Sequence, residues 1–209
     1  MFLEMDGFDY DAVASADFGA IWASRNAVAA TAWATFDIYR DPELLANVRA
    51  EVDSCALTGS DGRNVTCKFD LERLLRLPML QAVYAETLRL RMHFYLIRMT
   101  DRDEMRLQDW VIPRRKVIVT STTIAHMDTD VWRTGLHNER PVDQFWAGRF
   151  LRPKHSHDNV ESPLEFSAKG LEGSWIPYGG GPRQCPGRHF AKRQIMLTTA
   201  LMDSEQLVH

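Results

Sequence analysis

The chain of 209 residues lacks the features that would place it in several large protein classes. It has no run of eighteen apolar residues, so no segment reads as a membrane span. Neither sign of charge dominates. Lys and Arg number 25 against 28 Asp and Glu, a net charge of −3, which leaves no electrostatic case for nucleic-acid binding. Cysteine is scarce: Cys55, Cys67 and Cys185 are too few and too scattered for a disulfide framework or a paired-cysteine zinc site. Cys55 and Cys67 read as ordinary reduced thiols. His155 and His157 form an H-x-H, but no further ligand-type residues stand at suitable spacing, so a solvated loop is the better reading. The opening stretch from Met1 to Asp11 is acidic and holds too few apolar residues for a signal peptide. There is no internal repeat and no low-complexity tract. What remains is 45% hydrophobic and 25% charged, the composition of a soluble globular chain long enough for one or two domains.

Helical periodicity dominates the first ninety residues or so. Phe18, Ile21, Trp22, Ala29, Ala32, Trp33 and Phe36 recur near helical spacing, which predicts one long helix from about Ser15 to Tyr39. Asp41 then caps a second helix opened by Pro42 and Glu43 and running to about Cys55, before a turn at residues 58–62. A short helical piece over Leu71 to Leu75 leads to Pro78 and a third long helix ending near Arg91. The texture then changes. Leu96 to Thr100, Met105 to Ile112 and Lys116 to Thr122 read as short strands. Residues 126–175 show no sustained period and read as a long irregular stretch, which is uncommon without function. A last helix follows from Arg188 to Met202, with Phe190, Ala191, Ile195, Thr198, Leu201 and Met202 on one face.

The most informative segment is Tyr178-Gly-Gly-Gly-Pro-Arg-Gln-Cys-Pro-Gly187. Proline suits the first position of a helix, because its missing N–H would be unpaired there anyway. Pro186 therefore places Cys185 at or beside the cap of the last helix. Unpaired N–H groups and the positive end of the helix dipole favour a negative sulfur there. Gly179, Gly180 and Gly181 permit turns closed to other residues and a close approach to a bulky flat ligand. A thiol so placed suits metal ligation. The competing reading is a buried inert cysteine in a glycine-rich turn.

The spacing aromatic-x-x-Gly-x-Arg-x-Cys-x-Gly, here Tyr178, Gly181, Arg183, Cys185 and Gly187, resembles the haem-binding loop of the cytochrome P450 family. The family usually has Phe where this chain has Tyr178, which keeps the ring and adds a hydroxyl needing a partner. The resemblance implies that Cys185 is the axial ligand of the iron of haem b (iron protoporphyrin IX), its thiolate pushing electron density toward the metal. It also implies that Tyr178 and Gly181 shape the cofactor loop. Arg183 could reach a haem propionate, for which a planar guanidinium is well suited. Arg98 falls where the family often places a propionate-binding arginine. A solvated strand arginine is the other reading of Arg98, and the two stand level. His126 is a weaker candidate and reads as a loop residue.

Glu86 and Arg89 lie three apart on the third helix and share a face. Alone, they would read as an exposed ion pair worth roughly a few tenths of a kcal/mol. With Phe145-Trp-Ala-Gly-Arg149-Phe downstream, they resemble the family's Glu–Arg–Arg triad. That implies a buried structural network of Glu86, Arg89 and Arg149 anchoring the cysteine loop. Gly148 stands where the family often has Glu, which puts the orientation of Arg149 in question.

The first helix resembles the family's helix I in position and length. Many members carry an acid followed by Thr there, which helps deliver protons to bound dioxygen. This chain reads Trp22-Ala-Ser-Arg-Asn-Ala-Val-Ala-Ala-Thr31-Ala-Trp33, with no acid before a Thr. It looks more like the sterol 7α-hydroxylase and prostacyclin-synthase-like branch, which includes many fungal members. Asn26 then stands where the alcohol would be. The plainer reading makes Ser24, Arg25 and Asn26 ordinary polar helix residues.

The fold implied is mainly α with a small β part, a partial cytochrome P450 fold from helix I to helix L. Residues 1–209 would form the C-terminal part of a single domain whose N-terminal half is absent. The implied activity is a monooxygenase inserting one atom of dioxygen into a small apolar substrate such as a sterol, lipid or secondary metabolite. Its electrons would come from NADPH–cytochrome P450 reductase. A full-length eukaryotic form would sit on the endoplasmic reticulum membrane through an N-terminal anchor that this chain lacks. The missing acid–alcohol pair motivates an alternative, an isomerase or dehydratase of the same fold that needs no reductase. The length, under half that of a complete member, motivates another: a truncated, inactive fragment that holds no haem.

Overall fold

The computed structural model describes residues 9–57, 68–100, 103–154 and 163–203, with the side chains of residues 16, 17, 20, 22, 23, 68 and 183 outside the description. The turn expected at residues 58–62, Cys67, His155 and His157, and the tail after Asp203 also lie outside the described residues. The chain divides into two compact units, Met1–Tyr84 with Gly187–His209, and Ala85–Pro186.

In the first unit, caps set the helix boundaries. Helix α1 spans Tyr10–Tyr39 because the Asp9 carboxylate accepts the N–H of Ala12 at 2.8 Å, five residues upstream of the start that apolar spacing predicts. Helix α2, Pro42–Asp53, opens as expected: Asp41 accepts the N–H groups of Glu43 and Leu44, both at 3.1 Å. After the β1–β2 pair (Ala56–Leu57 and Lys68–Phe69), Asp70 caps the short α3, Leu71–Leu74. Helix α4, Pro78–Arg91, takes its cap from far away in sequence. The Glu51 carboxylate on α2 accepts the N–H of Met79 at 3.0 Å and of Leu80 at 3.2 Å. Burial raises the Glu51 pKa above the usual carboxylate value, and those two N–H groups pull it back down.

Helix α6, Arg188–Asp203, packs on α1. The buried stripe of α1 is Ala27, Ala30, Thr31, Ala34, Asp37 and Ile38. The apolar residues whose spacing signals the helix are not all buried: Phe18 and Ile21 are 65% and 69% exposed. The helix carries two stripes at the same period, and the small-residue one is used because it lets α6 approach closely. The phase of α6 shifts likewise: Ile195, Met196, Thr199, Ala200 and Asp203 point inward, while Phe190 and Met202 are exposed. An apolar cavity of about 640 Å³ lies between these helices, lined by Val28, Thr31, Phe36, Tyr39, Thr198 and Met202 among others.

The second unit begins within α4. Strands β3 (Tyr95–Met99) and β6 (Val117–Ser121) pair antiparallel, with Tyr95 opposite Ser121 and Met99 opposite Val117. The stretch from Met105 to Ile112, expected as one strand, is a hairpin of β4 (Met105–Leu107) and β5 (Trp110–Ile112), turning at Gln108 with φ 51°. Helix α5, Thr122–His126, follows directly. The supposedly irregular region contains β7 (Leu151–Pro153) paired with β8 (Leu164–Phe166), and 3-10 turns at Leu136–Asn138 and Ala147–Phe150. Its core is aromatic. Phe150 is buried, with the rings of Trp132, Trp175 and Phe166 at 5.6, 5.7 and 6.0 Å. Isolated aromatics can build such a core without any period in the sequence.

Candidate functional site

The second unit brings Glu86, Arg89 and Arg149 together at full burial. Glu86 Oε2 accepts from Arg89 Nε at 2.7 Å, and Oε1 accepts from Arg89 Nη2 at 2.9 Å, giving a bidentate fork. The same Oε1 accepts from Arg149 Nε at 3.0 Å and from the Trp146 backbone N–H at 3.1 Å. One carboxylate thus serves two guanidinium groups and one amide. Other guanidinium protons go to carbonyls, and Arg89 Nη1 also reaches Met127 Sδ at 3.8 Å. Arg89 donates to His126 O at 2.6 Å and Val142 O at 2.7 Å. Arg149 donates to the carbonyls of Arg133, Arg140, Pro141 and Gln144. Burial lowers the Arg149 pKa, and the Glu86 charge is the chief opposing influence.

Gly148 resolves the question raised by the missing Glu. A Cβ there would meet the Trp146 ring at 2.5 Å, so that indole occupies the space a side chain would need. The Trp146 ring lies under two guanidinium groups, Arg149 at 5.5 Å and Arg133 at 5.4 Å. Arg133 also donates to Gly148 O at 3.0 Å and Leu151 O at 2.9 Å. The Trp132 ring lies under Arg89 at 5.2 Å. Arg133, Trp132 and Trp146 escaped the sequence reading. The one available signal was the aromatic content around Arg149.

The cysteine loop lies in the same unit. The Cys185 N–H donates to Tyr178 O at 3.0 Å, and the Gly179 N–H donates to Ile176 O at 3.0 Å. Gly179 and Gly181 have φ of +74° and +65°, the left-handed region that glycine enters without a Cβ penalty. Tyr178 is half-buried, and the Cys185 thiol is exposed rather than buried and inert. One expectation is corrected. Helix α6 begins at Arg188, with the Ala191 N–H donating to Gly187 O at 2.9 Å, so Pro186 and Gly187 form a turn ahead of the helix. Cys185 is therefore two residues before the cap.

Strand β3 reaches this loop. A Cβ on Gly179 would lie 3.4 Å from Leu96 Cδ2, and Arg98, two residues on, shares the face of Leu96. Arg98 is exposed and its Nη1 donates to Ile97 O at 2.9 Å. The Arg183 side chain lies outside the described residues. Asn26 is exposed on α1, in the first unit, and Ser24 Oγ there donates to Ile21 O at 2.7 Å. His126 corrects its expected place: it is buried at the end of α5, not in a loop.

Among the described residues no group of three His, Cys, Asp or Glu stands ready to hold a bare metal ion. Among the described residues Cys185 is the exposed cysteine, on a loop where a Cβ at Gly180 or Gly181 would meet nothing within 4 Å. The haem that the family resemblance implies takes one protein ligand, and the Cys185 thiol on this open loop fits that requirement. Among the described residues no helix is long and apolar enough to cross a membrane.

The chain is similar to known proteins along most of its length. The cytochrome P450 family model matches residues 12–202. Cytochrome P450 monooxygenase efuG of Hormonema carpetanum is 36% identical over 90% of this chain and 36% of its own length. Cytochrome P450 monooxygenase fsoE of Humicola fuscoatra is 34% identical over 94% of this chain and 36% of its own. Oryzalexin E synthase of Oryza sativa subsp. japonica is 30% identical over 78% and 28% respectively. The chain thus spans about a third of the length of these curated relatives. With the family match running through both units, from α1 to α6, the chain belongs to the cytochrome P450 family.

Proposed function

We propose that this chain is the thiolate-bearing part of a haem monooxygenase acting on a small apolar organic substrate. The observation that carries the reading is Cys185: an exposed thiol, on a loop turned by two left-handed glycines, in the unit that holds the buried Glu86 network. Bound haem b would supply dioxygen activation at its iron, one oxygen atom going to the substrate. The residues of the chain supply the setting. Cys185 Sγ would hold the haem iron. Gly179 and Gly181 let the main chain turn around it, and Tyr178 O holds its N–H. Arg183 and Arg98, the latter on the face of β3 that meets the loop, are the candidates for a propionate partner. Glu86, Arg89 and Arg149 would keep the loop's foundation rigid. Asn26 keeps its proposed place on the distal helix from the resemblance of α1 alone.

Electron supply by NADPH–cytochrome P450 reductase, and membrane anchoring of a longer form on the endoplasmic reticulum, belong to the same proposal. It is supported by relatives whose names describe cytochrome P450 monooxygenases. A second reading, that the 209-residue chain by itself holds no haem, is favoured by the exposed rings of Phe18, Trp33, Phe36 and Tyr39 on α1. One experiment separates the two. The chain is produced with haem supplied, and the reduced protein is titrated with carbon monoxide. Stoichiometric haem with the absorbance of a thiolate ligand, lost in Cys185→Ala, supports the proposal. The same absorbance persisting in Cys185→Ala would sink it, and absence of bound haem selects the second reading.

A further inference from the structure

We propose that His126 is a positioning residue that ties the Glu86–Arg89–Arg149 network to the loop carrying Cys185. Its functional meaning rests on the reading of Cys185 as the metal ligand. His126 ends α5 and is fully buried. It is held from two sides. Its backbone carbonyl accepts from Arg89 Nη1 at 2.6 Å, which places it in the network. Its ring Nε2 accepts the backbone N–H of Ile176 at 3.2 Å. From there the hydrogen bonds continue into the loop: Gly179 N–H to Ile176 O, then Cys185 N–H to Tyr178 O, each at 3.0 Å. Helix α5 is itself pinned. Thr122 N–H donates to Phe94 O at 3.0 Å, and Trp132 Nε1 donates to Ala125 O at 2.8 Å.

The chemistry explains why an imidazole stands here. Ile176 offers only an N–H, so Nε2 must be unprotonated and the neutral ring carries its proton on Nδ1. Nδ1 is buried and has no hydrogen-bond partner. A buried donor without a partner is unfavourable, and a phenyl ring would pack in the same space without that cost. The Ile176 bond is thus what the imidazole adds. The surroundings protect the neutral form. Burial, then the His93 ring at 5.8 Å, then the Arg89 guanidinium lower the ring pKa to about 4. Through neutral pH the acceptor is therefore always available.

The test compares His126→Phe, which keeps a ring and removes the acceptor, with His126→Gln, whose amide oxygen can replace Nε2. Amide hydrogen exchange is read residue by residue on the whole chain, together with the alkylation rate of Cys185. The expected result is exchange at Ile176 and Gly179 about tenfold faster in the Phe variant, faster alkylation of Cys185, and return of both toward wild type in the Gln variant. Protection of the Trp146 N–H, which reports the network itself, should not change. Unchanged exchange at Ile176 in the Phe variant, or no rescue by Gln, overturns the proposal. If the Phe variant fails to fold, nitrogen NMR of the wild-type ring decides: a bare Nε2 above about pH 5 sustains the proposal, and a protonated Nε2 refutes it. None of these measurements needs bound haem, so they succeed or fail separately from the carbon monoxide test of Cys185.

Discussion

Replacing Glu86 by Gln probes the network most directly. The carboxylate takes four hydrogen bonds, from Arg89 Nε and Nη2, Arg149 Nε and Trp146 N–H, at 2.7 to 3.1 Å. All three charged side chains are buried. In wild type, two cations share one anion. In Glu86→Gln both guanidinium groups stay buried, arginine does not deprotonate, and the anion is gone. The amide also turns one acceptor into a donor that faces an N–H. Removing one partner from a buried charged network typically costs about 3–5 kcal/mol, a large part of the ~5–15 kcal/mol that keeps a domain folded. With a urea slope of about 1–3 kcal/mol per molar, the unfolding midpoint should fall by roughly 2 M. Indole fluorescence is the assay, because Trp132, Trp146 and Trp175 lie in the same unit as the network. Glu104→Gln is the internal control, in the same unit. Its pair with Arg106 spans 4.0 Å with side chains 59% and 77% exposed, so its loss should change stability by no more than about 0.5 kcal/mol. Equal effects of the two substitutions would refute the reasoning, since burial is what separates the two Glu–Arg pairs.

Other outcomes are expected together. The two units should respond to pH with opposite slopes. Burial raises the Asp203 pKa to about 7 from 3.8, so the folded state holds a proton that the unfolded state has released between those values. Stability of the first unit should fall as pH rises from about 4 to 7, by roughly 2–4 kcal/mol. Asp203→Asn should abolish that slope and stabilise the unit at pH 8 by a similar amount, measured by urea titration at several pH values. His126 works the other way: its pKa is lowered to about 4 from 6.5, so the unfolded state takes up a proton first as pH falls. The second unit should therefore lose stability between about pH 6.5 and 4, by at most about 3 kcal/mol, and His126→Gln should flatten that loss. Gly179→Ala forces a side chain into φ +74° and into contact with Leu96. It should cost about 1–2 kcal/mol in thermal unfolding and speed alkylation of Cys185. Asp41→Ala removes the acceptor for two N–H groups of α2 and should cost about 1 kcal/mol by the same measurement.

Local chemistry was legible wherever it is written in adjacent residues. Asp41-Pro42-Glu43 specified the start of α2, because Asp41 caps N–H groups two and three residues on, and Pro78 marked that of α4 by its fixed φ although the cap itself comes from Glu51. The cysteine loop was legible for the same reason. Its glycines, proline and thiol are neighbours, and the left-handed φ at Gly179 and Gly181 needs no distant partner. The meeting of Glu86, Arg89 and Arg149 followed from family resemblance, not from spacing, since an E-x-x-R is equally at home in water.

Tertiary structure alone decided which face of a helix is used and which distant groups meet. Helix α1 carries two apolar stripes with one period, and only the approach of α6 selects the small-residue stripe. Glu51 reaches the start of α4 from 28 residues away. The aromatic core around Phe150 came from a region without period. His126 looked like a loop residue until folding brought its ring to Ile176, 50 residues on. The sequence by itself determined the family, the helices and the identity of the ligand candidate, because these depend on residue type and near neighbours. Packing decided burial, and burial turned an ordinary Glu–Arg pair into a network and a loop histidine into a neutral acceptor.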